Sequence, residues 1–302
     1  LGGAAGAASS EGPTRLSETG LFQRDMQTLE QGVEPFTPQF QLWSDGAAKR
    51  RWIKLPAGST LDTANMDYWR FPVGTKLWKE FSLDGKRIET RLLHKVESSR
   101  WFMLAFAWNE AETEAEARPD GEDNARGTQH DIPAQTQCWA CHDNVSDRVL
   151  GFSAVQLSHS NEGLTLLQLK ERQLLSQPPA GNFSVPGSDT ARAALGYLHA
   201  NCGTCHNDKA TLMAPGRFWL TTKALGSVEE TPTFVTTVNQ PVSNVLLPGL
   251  PEQLIAPGNA DLSTVYVRMG ERGNALQMPS LGTEQVDAAG RSAVKAWIES
   301  LK

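Results

Sequence analysis

The chain has 302 residues, which suggests about two domains. Its apolar fraction of 39 % is enough for real cores, and a charged fraction of 21 % fits a folded chain with a polar surface. A net charge of −6 argues against nucleic acid as a partner, and no apolar run is long enough for a transmembrane helix.

The chain opens at Leu1 with Leu-Gly-Gly-Ala-Ala-Gly-Ala-Ala-Ser-Ser. Small residues in this density predict a flexible leader over 1–20, of the kind left on a mature exported chain. Leu21, Phe22, Met26 and Leu29 stand near helical spacing and predict a short helix over 21–30. From about 40 to 110 the pattern changes. Arg51-Trp-Ile-Lys-Leu, Trp69-Arg-Phe, Lys76-Leu-Trp-Lys-Glu-Phe, Ile88-Glu-Thr-Arg-Leu-Leu and Trp101 to Trp108 are short aromatic-rich runs separated by Pro-Gly and Asp84-Gly85 turn chemistry. They predict an antiparallel β domain over 21–127, with a hairpin at Asp84-Gly85. Residues 110–127 are acidic and rich in breakers, and predict a solvated loop.

Helical spacing returns afterwards. Pro133 can open a helix leading into Cys138, and Leu164–Leu175 reads as a helix. A Pro/Gly/Ser-rich stretch from Gln177 separates a first segment, 128–180, from a second, 181–302. Ser188 or Asp189 can cap a helix running into Cys202, and Val286–Leu301 is amphipathic. The predicted fold is therefore α+β: a β domain followed by a mainly α-helical region.

All four cysteines fall in two C-x-x-C-H runs, Cys138-Trp-Ala-Cys141-His142 and Cys202-Gly-Thr-Cys205-His206. This is the attachment pattern of c-type haem. Two thiols three positions apart reach the two vinyl groups of one porphyrin, and the following imidazole lies under the iron. One zinc held by both pairs would need closer spacing, and zinc gives no reason for a histidine after each pair. A thioredoxin-like redox pair would need a βαβ setting that neither run has. The reading is two covalently bound haem c groups, held by Cys138, Cys141, Cys202 and Cys205 with His142 and His206 as proximal ligands. Covalent haem attachment implies export, and so a periplasmic location, with an outer-membrane tether as the variant.

Met278, followed by Pro279 and lying before the last helix, is the candidate sixth ligand of the second haem; a thioether raises the potential of haem iron. Met269 is its competitor. For the first haem the candidates are His159, within its own segment, and His94, on the predicted hairpin. Met103, Met26, Met66 and Met213 are thioether options. An iron with no sixth protein ligand is a further alternative, and it points to catalysis.

The order C-x-x-C-H, Met-Pro, terminal helix resembles class I cytochromes c. More widely, Leu42-Trp-Ser-Asp-Gly-Ala-Ala-Lys-Arg-Arg-Trp-Ile-Lys-Leu-Pro, Phe71-Pro-Val-Gly-Thr, Glu89-Thr-Arg-Leu-Leu, Ala107-Trp-Asn, Ile132 to His142, Leu150-Gly-Phe and Gln156-Leu resemble a family of secreted bacterial dihaem c-type cytochromes with an N-terminal β domain. The resemblance runs from about residue 20 to the end. It implies electron transfer with a redox partner protein, such as a periplasmic dehydrogenase or another cytochrome. The rival expectation is an enzyme of the dihaem peroxidase or oxidase type with an open first haem. Asp45, Lys49 and Arg50 read as structural ion pairs or as contacts to a haem propionate.

Overall fold

The computed structural model describes residues 12–210, 214–242 and 249–302. Its largest element is one antiparallel sheet of six strands in sequence order: β1 (Glu34–Pro35), β2 (Ala48–Lys54), β3 (Lys76–Leu83), β4 (Lys86–Lys95), β5 (Trp101–Trp108) and β6 (Ala115–Ala117). The β3–β4 turn is Asp84-Gly85, both at positive φ, which is why Gly and Asp serve there.

Side chains alternate across this sheet. One face presents Trp52, Trp78, Leu92 and Leu104, and it is covered by Leu16, Leu21, Phe22 and Met26 from the preceding segment. Residues 12–20 are thus not a loose leader. Leu16 is fully buried, and the backbone N–H of Ala117 donates to the Thr14 carbonyl. The remainder of the expected leader, 1–11, lies outside the described residues.

Residues 21–30 do not form the predicted helix. Asp25 Oδ1 accepts from the N–H groups of Gln27 and Thr28, and Phe22 bridges Leu29, so the chain doubles back. An aspartate that satisfies the N–H groups just after it favours a turn over a helix. Residues 110–127 are likewise more than a solvated loop. They contain β6, and Arg126, whose side chain is buried, pairs with Glu110 and Glu112.

The expectation of a mainly α-helical second region is overturned. Among the described residues, only α3 (Asp189–Asn201) and α6 (Ala288–Ser300) reach 13 residues. The others are single turns or little more: α1 (Trp139–His142), α2 (Leu166–Glu171), α4 (Pro232–Thr237) and α5 (Thr264–Met269). The chain from 207 to 263 carries six prolines, and each removes a backbone donor and fixes φ. Apolar spacing survives there, but an uninterrupted backbone ladder cannot. The short α2 has its own stop, since Gln173 lies at positive φ beyond Arg172.

The cores do not follow the expected division into a β domain and a haem region. Phe36, Ile53, Leu77, Trp101 and Met103 of the sheet share one cluster with Val149, Phe152, Leu157, Leu166, Leu169 and Leu175. A second cluster joins α3, α5 and α6 through Leu195, Leu198, Tyr266, Val294, Trp297 and Ile298. Where α3 and α6 cross, a Cβ on Gly290 would stand 1.9 Å from the Tyr197 ring, so the close approach requires glycine there.

Asp45 ties the two cores together. Its carboxylate accepts from the backbone N–H groups of Glu284 and Gln285, while Trp43 N–H donates to Asn201 Oδ1 at 2.7 Å. Asp45 is therefore a structural clamp on the approach to α6.

His199 is buried inside the second core, where its Nδ1 accepts from Leu220 N–H at 3.0 Å. Burial lowers its pKa from the ordinary 6.5 to about 3. In the unfolded chain this imidazole takes up a proton below pH 6.5, whereas in the folded chain it does not until about pH 3. Stability from this group is complete above pH 6.5 and falls by about 1.4 kcal/mol per unit as pH drops through that window. Urea unfolding followed by circular dichroism across this range is expected to show stability falling with pH, and His199→Gln is expected to reduce the slope by this amount, leaving the part due to the other buried histidines.

Candidate functional site

Each C-x-x-C-H run closes a single turn. In the first, Cys141 N–H and His142 N–H both donate to the Cys138 carbonyl, at 3.3 and 3.1 Å. In the second, Cys205 N–H and His206 N–H donate to the Cys202 carbonyl, at 3.1 and 2.9 Å. Residues three and four apart on such a turn share one face. Both thiols and the imidazole of each run are thereby set side by side. The four cysteines are free and half-buried.

The imidazoles are oriented by the same device. His142 Nδ1 donates to the Arg148 carbonyl at 2.6 Å, and His206 Nδ1 donates to the Pro215 carbonyl at 3.0 Å. A carbonyl can only accept, so the proton is on Nδ1 and the lone pair is on Nε2, as an axial ligand requires. Burial lowers the pKa of His142 to about 4 and lowers that of His206, which keeps both rings neutral. Two thiols, one neutral imidazole with Nε2 free to ligate and a supporting carbonyl form a donor set that fits c-type haem in each run.

The Arg148 carbonyl is held by the sheet. Asp147 and Arg148 both sit at positive φ, an uncommon conformation for residues with side chains. What over-determines it is the Asp147 carboxylate. It accepts from Lys95 Nζ at 2.7 Å to both oxygens, from Trp101 Nε1 at 2.9 Å and from Phe71 N–H at 2.6 Å. Lys95 and Asp147 are almost fully buried, with side chains 4 % and 9 % exposed. A buried pair with this many hydrogen bonds fixes geometry more than it adds net stability. Here it fixes the loop that positions His142.

The two runs lie against each other. Asn144 Nδ2 stands 4.0 Å from Cys205 Sγ, and Asn207 Nδ2 donates to the Asn144 carbonyl at 3.1 Å. Met278 is held by its N–H, which donates to the Arg268 carbonyl at 3.1 Å. Met269 is buried in the second core. Met213 lies outside the described residues.

The first-run candidates fare differently. His94 pairs across the sheet with Lys76 and Phe102, on the face covered by residues 12–29, away from Cys138 and His142. His159 Nδ1 accepts from Asn161 N–H at 3.0 Å, which places its proton on Nε2 and leaves no lone pair there for iron. Met26 is buried on the face away from Cys138, and Met103 is buried in the shared core. Met66 packs at the edge of that core.

What the sheet turns toward the first run is charged. Lys79 and Arg91 are cross-strand partners, and both bear on Cys141 and His142. Arg91 also bears on Cys138 and is bidentate to Glu89, whose other partner is His130 Nε2 at 2.7 Å. Burial would raise the Glu89 pKa, but Arg91 and His130 outweigh it and hold it below the ordinary value. Lys79, Arg91 and Glu89 are not among the candidate site residues of the sequence. Strict alternation in Leu77-Trp-Lys79-Glu-Phe81 and Glu89-Thr-Arg91-Leu-Leu93 places Lys79, Glu89 and Arg91 on the inward face, which is the signal that could have found them.

Compared with protein-family models, curated proteins and solved structures, the chain has no match. No helix among the described residues is long and apolar enough to cross a membrane.

Lys95→Met removes one partner and leaves the Asp147 carboxylate buried. Urea unfolding is expected to show a loss of about 3 kcal/mol. The paired replacement Lys95→Met with Asp147→Leu is expected to recover part of it, and a similar loss in both variants would refute the pairing as its cause.

Proposed function

We propose that the chain is an exported dihaem c-type cytochrome, similar to the secreted bacterial dihaem family. In this reading it passes electrons between a redox partner protein and an acceptor. The observation that carries the reading is the contact between the two attachment runs through Asn144, Cys205 and Asn207. Two isolated haem sites would not need to touch, whereas a relay does.

Cys138, Cys141 and His142 would hold the first haem, and Cys202, Cys205 and His206 the second. Bound haem supplies one-electron chemistry at iron. The chain sets the tautomer of both histidines, encloses the sites with apolar side chains and offers Met278 as a soft donor to the second. The net charge of −6 suits a basic partner surface.

One observation favours the enzyme reading as the second choice. The two histidines considered for the first haem are turned away or engaged, and the residues facing Cys138–His142 from the sheet include Lys79 and Arg91. A haem iron left without a sixth protein ligand would bind small ligands.

Mass spectrometry of the denatured protein, expressed in a host that matures c-type cytochromes, is expected to show two covalent haems. Cys138→Ala with Cys141→Ala is expected to leave one. In the intact protein, Met278→Ala is expected to abolish the far-red charge-transfer band of a Met-ligated ferric haem and to lower that haem's potential. A product without haem refutes the whole reading. Two haems with one high-spin and quick to bind cyanide favour the enzyme over the relay.

A further inference from the structure

The inward face of the sheet carries more positive charge than its surroundings neutralise. Lys49 and Arg51 on β2, Lys79 on β3 and Arg91 on β4 occupy two adjacent cross-strand rows. The one carboxylate on those rows, Glu89, is already shared by Arg91 and His130. Arg51 is only 6 % exposed, and its described hydrogen bond goes to Gln41 Oε1, a neutral amide. No carboxylate among the described residues forms an ion pair with Arg51 or Lys79.

Burial lowers the Arg51 pKa to about 10 and pulls Lys79 well below its ordinary value. Charges held in such a place are costly unless an anion meets them. Lys49, at the edge of these rows, lines an open cavity of about 580 Å³ that also touches Trp43, Tyr197 and Asp287.

We propose that the Arg51–Lys79–Arg91 face of the sheet, with Lys49 at its mouth, binds carboxylate groups presented beside Cys138–His142. Two sources share that chemistry: the propionates of the first haem, or a small soluble organic acid. The inference rests on the haem reading of the first run and specifies what the sheet does for it. Arginine suits the task because its fork meets a carboxylate with two parallel hydrogen bonds.

The test uses the haem-loaded protein, with haem content counted first by mass. Spectra of both haems are recorded at fixed applied potentials in the wild type and in Arg51→Gln, Lys79→Gln and the charge-keeping Arg51→Lys. A cation near a haem stabilises its electron-rich ferrous state. Removing one is expected to raise the ferric-to-ferrous ratio of the first haem by about tenfold, the size for a unit charge within about 10 Å at an effective dielectric near 20. The second haem should be unmoved, and Arg51→Lys should restore most of the change. Succinate is then added to the oxidised wild type. No response alongside the redox shift identifies the propionates as the bound carboxylates. A saturable shift of the first haem's spectrum, lost in Arg51→Gln, identifies a soluble acid. If both haems are loaded but neither glutamine variant shifts the first haem and succinate has no effect, the inference is overturned while the dihaem reading stands. Should Arg51→Gln fail to load haem, Lys79→Gln, which leaves the buried Arg51–Gln41 hydrogen bond intact, decides the redox arm and the loss of the succinate response.

Discussion

The ion pair between Lys95 and Asp147 is the joint on which the arrangement depends. It is buried on the sheet, it absorbs two consecutive residues at positive φ, and it presents the Arg148 carbonyl to His142. Neither half of the molecule could place that imidazole alone. The sheet provides Lys95, Trp101 and the Phe71 N–H, while the loop after the first C-x-x-C-H run provides the carboxylate and the carbonyl. A shared apolar core surrounds the joint, so the β region and the first run are one cooperative unit.

The second run is supported in a different way. His206 relies on the Pro215 carbonyl, in a stretch where prolines and glycines replace helix. The long helices α3 and α6 cross nearby at Gly290 and Tyr197 and bury Trp297 and Ile298. The clamp from Asp45 to the residues before α6 joins this unit to the sheet, and the Asn144–Cys205 and Asn207–Asn144 contacts join the two runs. Rigid contacts of this kind suit a relay, because reorganisation at either site is resisted by the other.

Charge on the inward sheet face completes the picture. Three basic side chains, Arg51, Lys79 and Arg91, around a single committed carboxylate are an incomplete electrostatic assembly, and such assemblies persist where a ligand supplies the missing sign. The opposite face of the same strands carries the apolar cluster of Trp52, Trp78, Leu92 and Leu104, covered by residues 12–29, and its buried Glu80 is paired with Arg50 and Arg87. The two faces of one sheet thus serve separate ends: one closes a core with residues 12–29, and the other closes the shared core and addresses the first run.

Local chemistry was legible in the sequence. The two Cys-x-x-Cys-His turns, the Asp84-Gly85 hairpin, the Ser188 cap of α3 and the final helix follow from residues within a few positions of one another, where spacing and capping decide. Helix over 21–30 and through much of 128–302 failed because apolar spacing says what is buried and not which backbone buries it. An Asp25 turn and a run of prolines then decided against helix. The supports of both histidines, the side of the sheet on which His94 lies and the convergence of Arg51, Lys79 and Arg91 depend on strand register and on contacts between distant segments. A single register step moves a side chain from one face to the other, so only the tertiary structure could decide them.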